Sequence, residues 1–260
     1  MNCTSISYET KLLGVLGEKI SYSLSPLIHN YSFERLGLNA LYVIFDLGRE
    51  KFQRALPGLL ELTYGLNVTI PYKESVIPYL DSLSPEAERI GAVNTVFQGR
   101  GYNTDYLAVK SLVGEKYGKA LILGAGGAAK AASFALAEMG SRILIRNRTR
   151  ERSQELVDRL ARYSLEAEVT DDCRDDYDIV VNTIPDPYSV PLECVKGKVA
   201  IEFVYKDTPF LKLAKERGLR TVTGLEILVR QAMEAEKIWF GKSLDDLQVV
   251  NFLNARQLVR

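Results

Sequence analysis

Ala120-Leu121-Ile122-Leu123-Gly124-Ala125-Gly126-Gly127-Ala128-Ala129 is the stretch that decides the fold. A short apolar strand runs into a glycine turn, and small residues open the helix behind it. That is the layout of a dinucleotide-binding unit, in which free N–H groups at a helix N-terminus attract a pyrophosphate. Gly124, Gly126, Gly127 and Ala128 are the cradle residues. The next strand ends in Ile145-Arg146-Asn147-Arg148-Thr149-Arg150, with no acid before Glu151. A unit built for NAD places a carboxylate there, on the ribose 2′-hydroxyl. A guanidinium instead forks onto a 2′-phosphate, which a carboxylate would repel. The expected cofactor is therefore NADP, with Asn147, Arg148, Thr149 and Arg152 at its phosphate end.

The 260 residues are enough for two domains with substantial cores. A net charge of zero offers nothing to recruit nucleic acid or an anionic membrane. Cys3, Cys173 and Cys194 are odd in number and scattered, without the spacing of a metal site or a disulfide framework, which fits a reducing cytoplasm. His29 is the single histidine, which argues against a histidine-based metal site and against a serine–histidine triad. No metal is expected. No apolar stretch has the length of a membrane span, and the first residues lack the apolar core of a signal peptide.

Apolar strand-like runs alternate with helix-like stretches, the pattern of an α/β protein with mainly parallel sheets. Strands are expected at Leu12 to Leu16, Leu41 to Phe45, Gly65 to Val68, Thr95 to Phe97, Ala120 to Leu123, Arg142 to Ile145, Ile179 to Asn182 and Val199 to Phe203. Helices are expected at Glu151 to Tyr163, at Pro209 to Arg217, where proline suits the first turn, and at Leu225 to Phe240 and Leu244 to Leu258. The glycine turn starts only near residue 120, so the preceding hundred residues need a fold of their own, with a hinge near Asn103 to Gly118. The division expected is a first domain of residues 1–103 and 241–260 and a Rossmann-type second domain of residues 104–240, with a cleft between the lobes.

Three upstream segments carry polar residues suited to chemistry. In Ser21-Tyr22-Ser23-Leu24-Ser25-Pro26, Pro26 fits a first helical position, making Ser25 the expected N-cap; hydroxyls there suit a carboxylate, though an ordinary cap reads the same. His29 reads as a surface or packing residue. In Asn67-Val68-Thr69-Ile70-Pro71-Tyr72-Lys73, Pro71 keeps Ile70 extended and Lys73 opens a short helix-like stretch through Ile77. The positive end of that helix dipole suits a general acid–base lysine, against the commoner fate of a solvated surface lysine. In Gly91-Ala92-Val93-Asn94-Thr95 and Asn103-Thr104-Asp105, Asn94 reads as an amide aimed into a cleft or as a turn residue, and Asp105 as a helix cap or as a carboxylate partner for Lys73.

Together these segments, with Asn182-Thr183, Gly224-Leu225, Leu228-Val229 and Gln231, resemble the shikimate dehydrogenase family in order along nearly the whole chain. The resemblance implies reversible NADPH-dependent reduction of 3-dehydroshikimate to shikimate. It implies Lys73 as acid–base residue with Asp105 as its partner, and Ser23 and Ser25 on the substrate carboxylate. Thr69, Asn94, Asp105 and Gln231 would bind ring hydroxyls, Tyr205 would lie near the substrate, and Gly224 on the nicotinamide side. The expected partner is this small molecule, without nucleic acid or membrane, for a cytoplasmic monomer or homodimer. A quinate/shikimate dehydrogenase with looser cofactor use and a catalytically silent NADP-binding redox sensor are the alternatives. The chain departs from the family at Ile184-Pro185-Asp186-Pro187-Tyr188, at the shortened spacing from Tyr205 to Thr208-Pro209, and at Ile227 in place of a methionine.

Overall fold

The computed structural model describes residues 6–256. The chain forms two compact units, one running to Thr104 and resuming with Val229–Arg256, the other Asp105–Leu228.

The first unit is a six-stranded sheet in the order β2-β1-β3-β5-β6-β4, built from β1 (Lys11–Gly17), β2 (Ala40–Asp46), β3 (Gly65–Val68), β4 (Ser82–Leu83), β5 (Thr95–Phe97) and β6 (Arg100–Tyr102). Helices α1 (Ser25–Leu36) and α2 (Arg49–Leu62) connect β1, β2 and β3 in parallel. The short α3 (Pro85–Ile90) lies between β4 and β5. β5 runs antiparallel to β3 and β6. The β5–β6 hairpin turns at Gln98 and Gly99, both at positive φ (48° and 71°), as a tight hairpin requires.

The second unit opens with α4 (Thr104–Val113) and is wholly parallel. Its strands are β7 (Lys119–Leu123), β8 (Arg142–Arg146), β9 (Ala167–Val169), β10 (Ile179–Asn182), β11 (Val199–Glu202) and β12 (Arg220–Val222), in the order β12-β11-β10-β7-β8-β9. Helices α5 (Gly127–Glu138), α6 (Arg150–Ala161) and α7 (Pro209–Glu216) connect them. The order reverses between β7 and β10, the switch point at which such sheets bind ligands. Asp178 pins the start of this sheet: its carboxylate accepts from Gly118 N, Lys119 N and Lys198 Nζ. The Lys198 ammonium, ahead of those amides, holds the carboxyl below its ordinary range. Among the described residues no helix is long and apolar enough to cross a membrane.

Several expectations need correction. The last two helices, α8 (Gly224–Phe240) and α9 (Asp246–Ala255), do not divide at residue 241. The compact units part inside α8, because Ala235 and Trp239 enter the core of the first unit, where Trp239 Nε1 donates to Val96 O at 3.0 Å. Ser25 is not the cap of α1. Leu24 holds that position, since Ser23 N already donates to Ile20 O and curls the chain one residue early. The stretch after Lys73 is a run of turns and the 3-10 segment Ile77–Tyr79, so the helix expected to begin at Lys73 does not form. Of the two readings of His29, packing holds and surface does not: it is fully buried, stacked on Tyr42, with Nδ1 at 2.8 Å from Glu236 Oε1. Cys173 and Cys194 form a disulfide that their spacing did not announce.

Candidate active site

In the first unit the candidate residues Thr69 and Asn94 lie where β3 ends and the antiparallel β5 begins, beside the end of β1. Thr69 follows β3 and its N–H donates to Leu16 O at 2.8 Å. Gly17 beside it carries no side chain, and a Cβ there would meet Thr69 Cγ2 at 2.6 Å. The Ile70–Pro71 bond is cis, and the chain turns back at once, Tyr72 N donating to Thr69 O. Lys73 O then accepts from Val93 N at 2.7 Å, so the backbones of Lys73 and Asn94 are held one residue apart.

Asn94 is buried, and its Oδ1 accepts from Thr104 N at 2.7 Å, capping α4 from outside that helix. Its Nδ2 donates to Thr104 Oγ1 at 3.0 Å, and Thr104 Oγ1 donates to Gln231 Oε1 at 3.4 Å. Gln231, expected in the second domain, thus belongs to the first unit. Behind this group Asn67 donates to Asn94 O at 3.1 Å and Thr95 Oγ1 at 3.0 Å, and Tyr42 donates to Asn67 Oδ1 at 2.6 Å. Burial first, then the Glu236 charge, pushes the Tyr42 hydroxyl well above its ordinary pKa, against a hydrogen bond from Ser25. Ser25 N in turn donates to Ser23 Oγ at 3.3 Å. Ser23, Ser25, Asn94 and Gln231 are therefore joined through Tyr42, Asn67, Thr95 and Thr104, to which sequence reasoning gave no role. The available signal was a polar residue inside the four-residue β3, every position of which is buried.

Asp105 is buried in the first turn of α4 and opens the second unit. There, Gly124 takes φ 112° and donates its N–H to Arg146 O at 2.9 Å, joining the glycine turn to the strand that leads into Asn147. A Cβ on Gly124 would strike Thr183 Oγ1, the hydroxyl that bridges back to Leu123 O. Gly126 caps α5 in extended conformation with open space at its Cβ position, and no side chain caps this helix. The N–H groups of Gly127 and Ala128 thus begin a helix that no side chain caps, which fits a pyrophosphate. Asn147 Nδ2 closes its own turn onto Thr149 O, while Arg148 and Arg152 are exposed. Gly224 opens α8 against the backbone of Val204 and Tyr205, with no room for a Cβ. The atypical loop after β10 is ordered by Asp186, which accepts from Tyr188 N and Ser189 Oγ. Ile227, in the first turn of α8, is buried.

A reversed all-parallel sheet with an open helix mouth at its switch point defines a dinucleotide-binding α/β protein. A family model described as the shikimate dehydrogenase substrate binding domain matches residues 15–96, and one described as shikimate / quinate 5-dehydrogenase matches residues 107–190. The chain is 54% identical to the shikimate dehydrogenase of Sulfurisphaera tokodaii, covering 98% of both. It is 50% identical to the NADP(+) shikimate dehydrogenase of Sulfolobus acidocaldarius, covering 98% of this chain and 99% of the relative. Among solved structures, the Thermus thermophilus enzyme in complex with NADP(H) and shikimate is 35% identical, with a TM-score of 0.83 and coverage of 96% of this chain and all of the other. The chain belongs to the shikimate dehydrogenase family.

Proposed function

We propose that this protein interconverts shikimate and 3-dehydroshikimate with NADP, with Lys73 as general acid–base and Asp105 as its partner. One observation carries the reading at the level of the site: a buried hydrogen-bonded chain links Ser25, Asn94 and Gln231, gathering hydroxyl and amide groups from segments far apart in sequence. A ring with a carboxylate and several hydroxyls is the ligand this donor set suits.

Ser23 and Ser25 hold the carboxylate. Thr69, Asn94, Asp105 and Gln231 hold ring hydroxyls, and Tyr205 lies near the substrate. Gly124, Gly126, Gly127 and Ala128 cradle the pyrophosphate; Asn147, Arg148, Thr149 and Arg152 take the 2′-phosphate end; Gly224 lies on the nicotinamide side. When bound, the dinucleotide supplies or accepts a hydride at the carbon bearing the ring ketone or hydroxyl. Lys73 Nζ gives a proton to the developing alkoxide during reduction and removes it from the hydroxyl during oxidation, while Asp105 holds the ammonium in place. Fixing both reactants lowers the barrier by several kcal/mol, of the order known for well-oriented groups. The small molecule is the partner, acted on by a cytoplasmic monomer or homodimer without nucleic acid.

The test is absorbance at the NADPH band with shikimate and, separately, quinate. Reduction of NADP by shikimate, with little or none by quinate, is expected. Comparable rates with quinate select the broader enzyme, and dinucleotide binding without turnover overturns the catalytic reading.

A further inference from the structure

The Cys173–Cys194 disulfide spans a sequence separation of 21, joining the segment after β9 to the 3-10 turn Leu192–Cys194 ahead of β11. Arg146, the last residue of β8, directs Nη1 at both sulfurs, 3.0 Å from Cys173 Sγ and 2.9 Å from Cys194 Sγ, and at Glu193 Oε1 at 3.1 Å. A purely structural crosslink has no use for a cation on its sulfurs. A guanidinium there stabilises thiolate, the form in which a sulfur leaves a disulfide. Cys173, Glu193 and Cys194 also bring donor atoms within 4.8 Å of one another, the spacing of a metal site, but the Arg146 charge on the same atoms opposes a cation.

We infer that Cys173–Cys194 is a thiol–disulfide exchange site for dithiol reductants, with Arg146 stabilising the leaving sulfur, and that its state tunes the grip of the neighbouring Asn147–Thr149 segment on the dinucleotide. The second half rests on the cofactor assignment proposed above. Cys173 retains 9% exposure and Cys194 none, which sets the direction of attack. The reductant's thiolate bonds to Cys173 Sγ, the protein S–S bond breaks, and its electron pair leaves on Cys194 Sγ beside Arg146. The reductant's second thiol, losing its proton to solvent, then attacks its own sulfur in the mixed disulfide. Cys173 departs as thiolate and takes a proton. The protein gains two electrons and the reductant becomes a cyclic disulfide; a small-molecule disulfide oxidant drives the reverse. Reduction releases two chain segments from one another and frees the sulfur contacts of Arg146, whose next residue is Asn147. Preorganisation of that segment is lost, and binding weakens accordingly.

The experiment uses the full chain carrying Cys3→Ser. After incubation with oxidised or reduced dithiothreitol, the protein is denatured, labelled with maleimide and weighed intact. No label is expected on the oxidised form and two on the reduced form; two labels on both would overturn the pairing. NADP affinity, read by titration calorimetry, should weaken about threefold to tenfold on reduction. Cys173→Ser and Cys194→Ala should each match the reduced value and stop responding to dithiothreitol. Equal affinities in both states would overturn the coupling. Arg146→Gln should slow opening by dithiothreitol about tenfold, and an unchanged rate would remove Arg146 from the exchange. If neither form binds NADP, the functional reading fails, and the label counts still decide the exchange site.

Discussion

Lys73 has its carbonyl tied to Val93 N and so sits one peptide from Asn94, a placement that fixes its backbone without any helix behind it. If Lys73 has the proposed role, Lys73→Ala is expected to lower kcat about a hundredfold with little change in the KM for shikimate, since a proton donor to the reacting oxygen acts mainly on the chemical step. Steady-state rates check this, and wild-type turnover would remove Lys73 from the mechanism. Arg148 is exposed just after β8, and Arg148→Ala should raise the KM for NADP about tenfold while changing that for NAD far less. Equal losses with both dinucleotides would refute its role on the 2′-phosphate. Glu202 gives a pH prediction. Burial pushes its carboxyl up, against hydrogen bonds from Val204 N, Thr208 Oγ1 and Asn182 Nδ2. Between the ordinary glutamate pKa and its raised folded value, the native state holds a proton that the unfolded chain has released. Stability therefore falls as pH rises through that window. Glu202→Gln keeps the Oε1 contacts and can donate to Thr208, so urea midpoints measured from acid to neutral pH should lose this slope. An unchanged slope would place its origin elsewhere. Among the candidate residues, Asn94 stands out as an amide in an apolar, glycine-marked run and Lys73 as a cation just past Pro71, whereas Gln231, next to Arg230, is offered by the family resemblance alone. Tyr42 and Thr104 were not legible: their work is to bond side chains distant in sequence, and nothing local marks such a task.

At the scale of elements, legibility followed burial. β7 and β10 lie inside a parallel sheet, and their uninterrupted apolar runs announce them. The edge strands β9 and β12 are three residues each and carry Glu168 and Arg220, so no periodicity betrays them. β6 escapes for a different reason, since Arg100-Gly101-Tyr102 owes its extended form to pairing with β5. The stretch after Lys73 looks helical by composition, yet it yields turns and a single 3-10 segment interrupted by Pro78. Helix α8 meets the sheet of the first unit at Gly65, where a Cβ would strike the Trp239 indole. Gly65→Ala should cost about 1–3 kcal/mol by overpacking a ring that cannot retreat without losing its bond to Val96 O. Thermal or urea unfolding measures it, and a neutral result would mean that the indole has slack.

On the scale of the whole molecule, the alternation of elements and the late glycine turn disclosed two α/β units, but the point at which the chain returns to the first lay hidden. The apolar pattern of α8 continues from Leu225 to Phe240, and a helix that changes neighbours midway keeps the same periodicity throughout. The disulfide was hidden too, because β10 and its flanking loops separate Cys173 from Cys194 along the chain. The hydrogen bond from Thr104 to Gln231 has one more consequence. The first unit is broken between residues 104 and 229, and these two side chains bring the severed ends within bonding reach of each other. The first unit is thus a host whose sequence the second, a guest, leaves and rejoins at one small doorway, Thr104 and Val229. Residues 6–104 spliced to 229–256 through a short glycine-rich loop should fold cooperatively, with a single unfolding transition by circular dichroism. A splice that melts without cooperativity would mean that the host needs its guest; one that folds would make the doorway a socket into which other dinucleotide-binding units can be grafted.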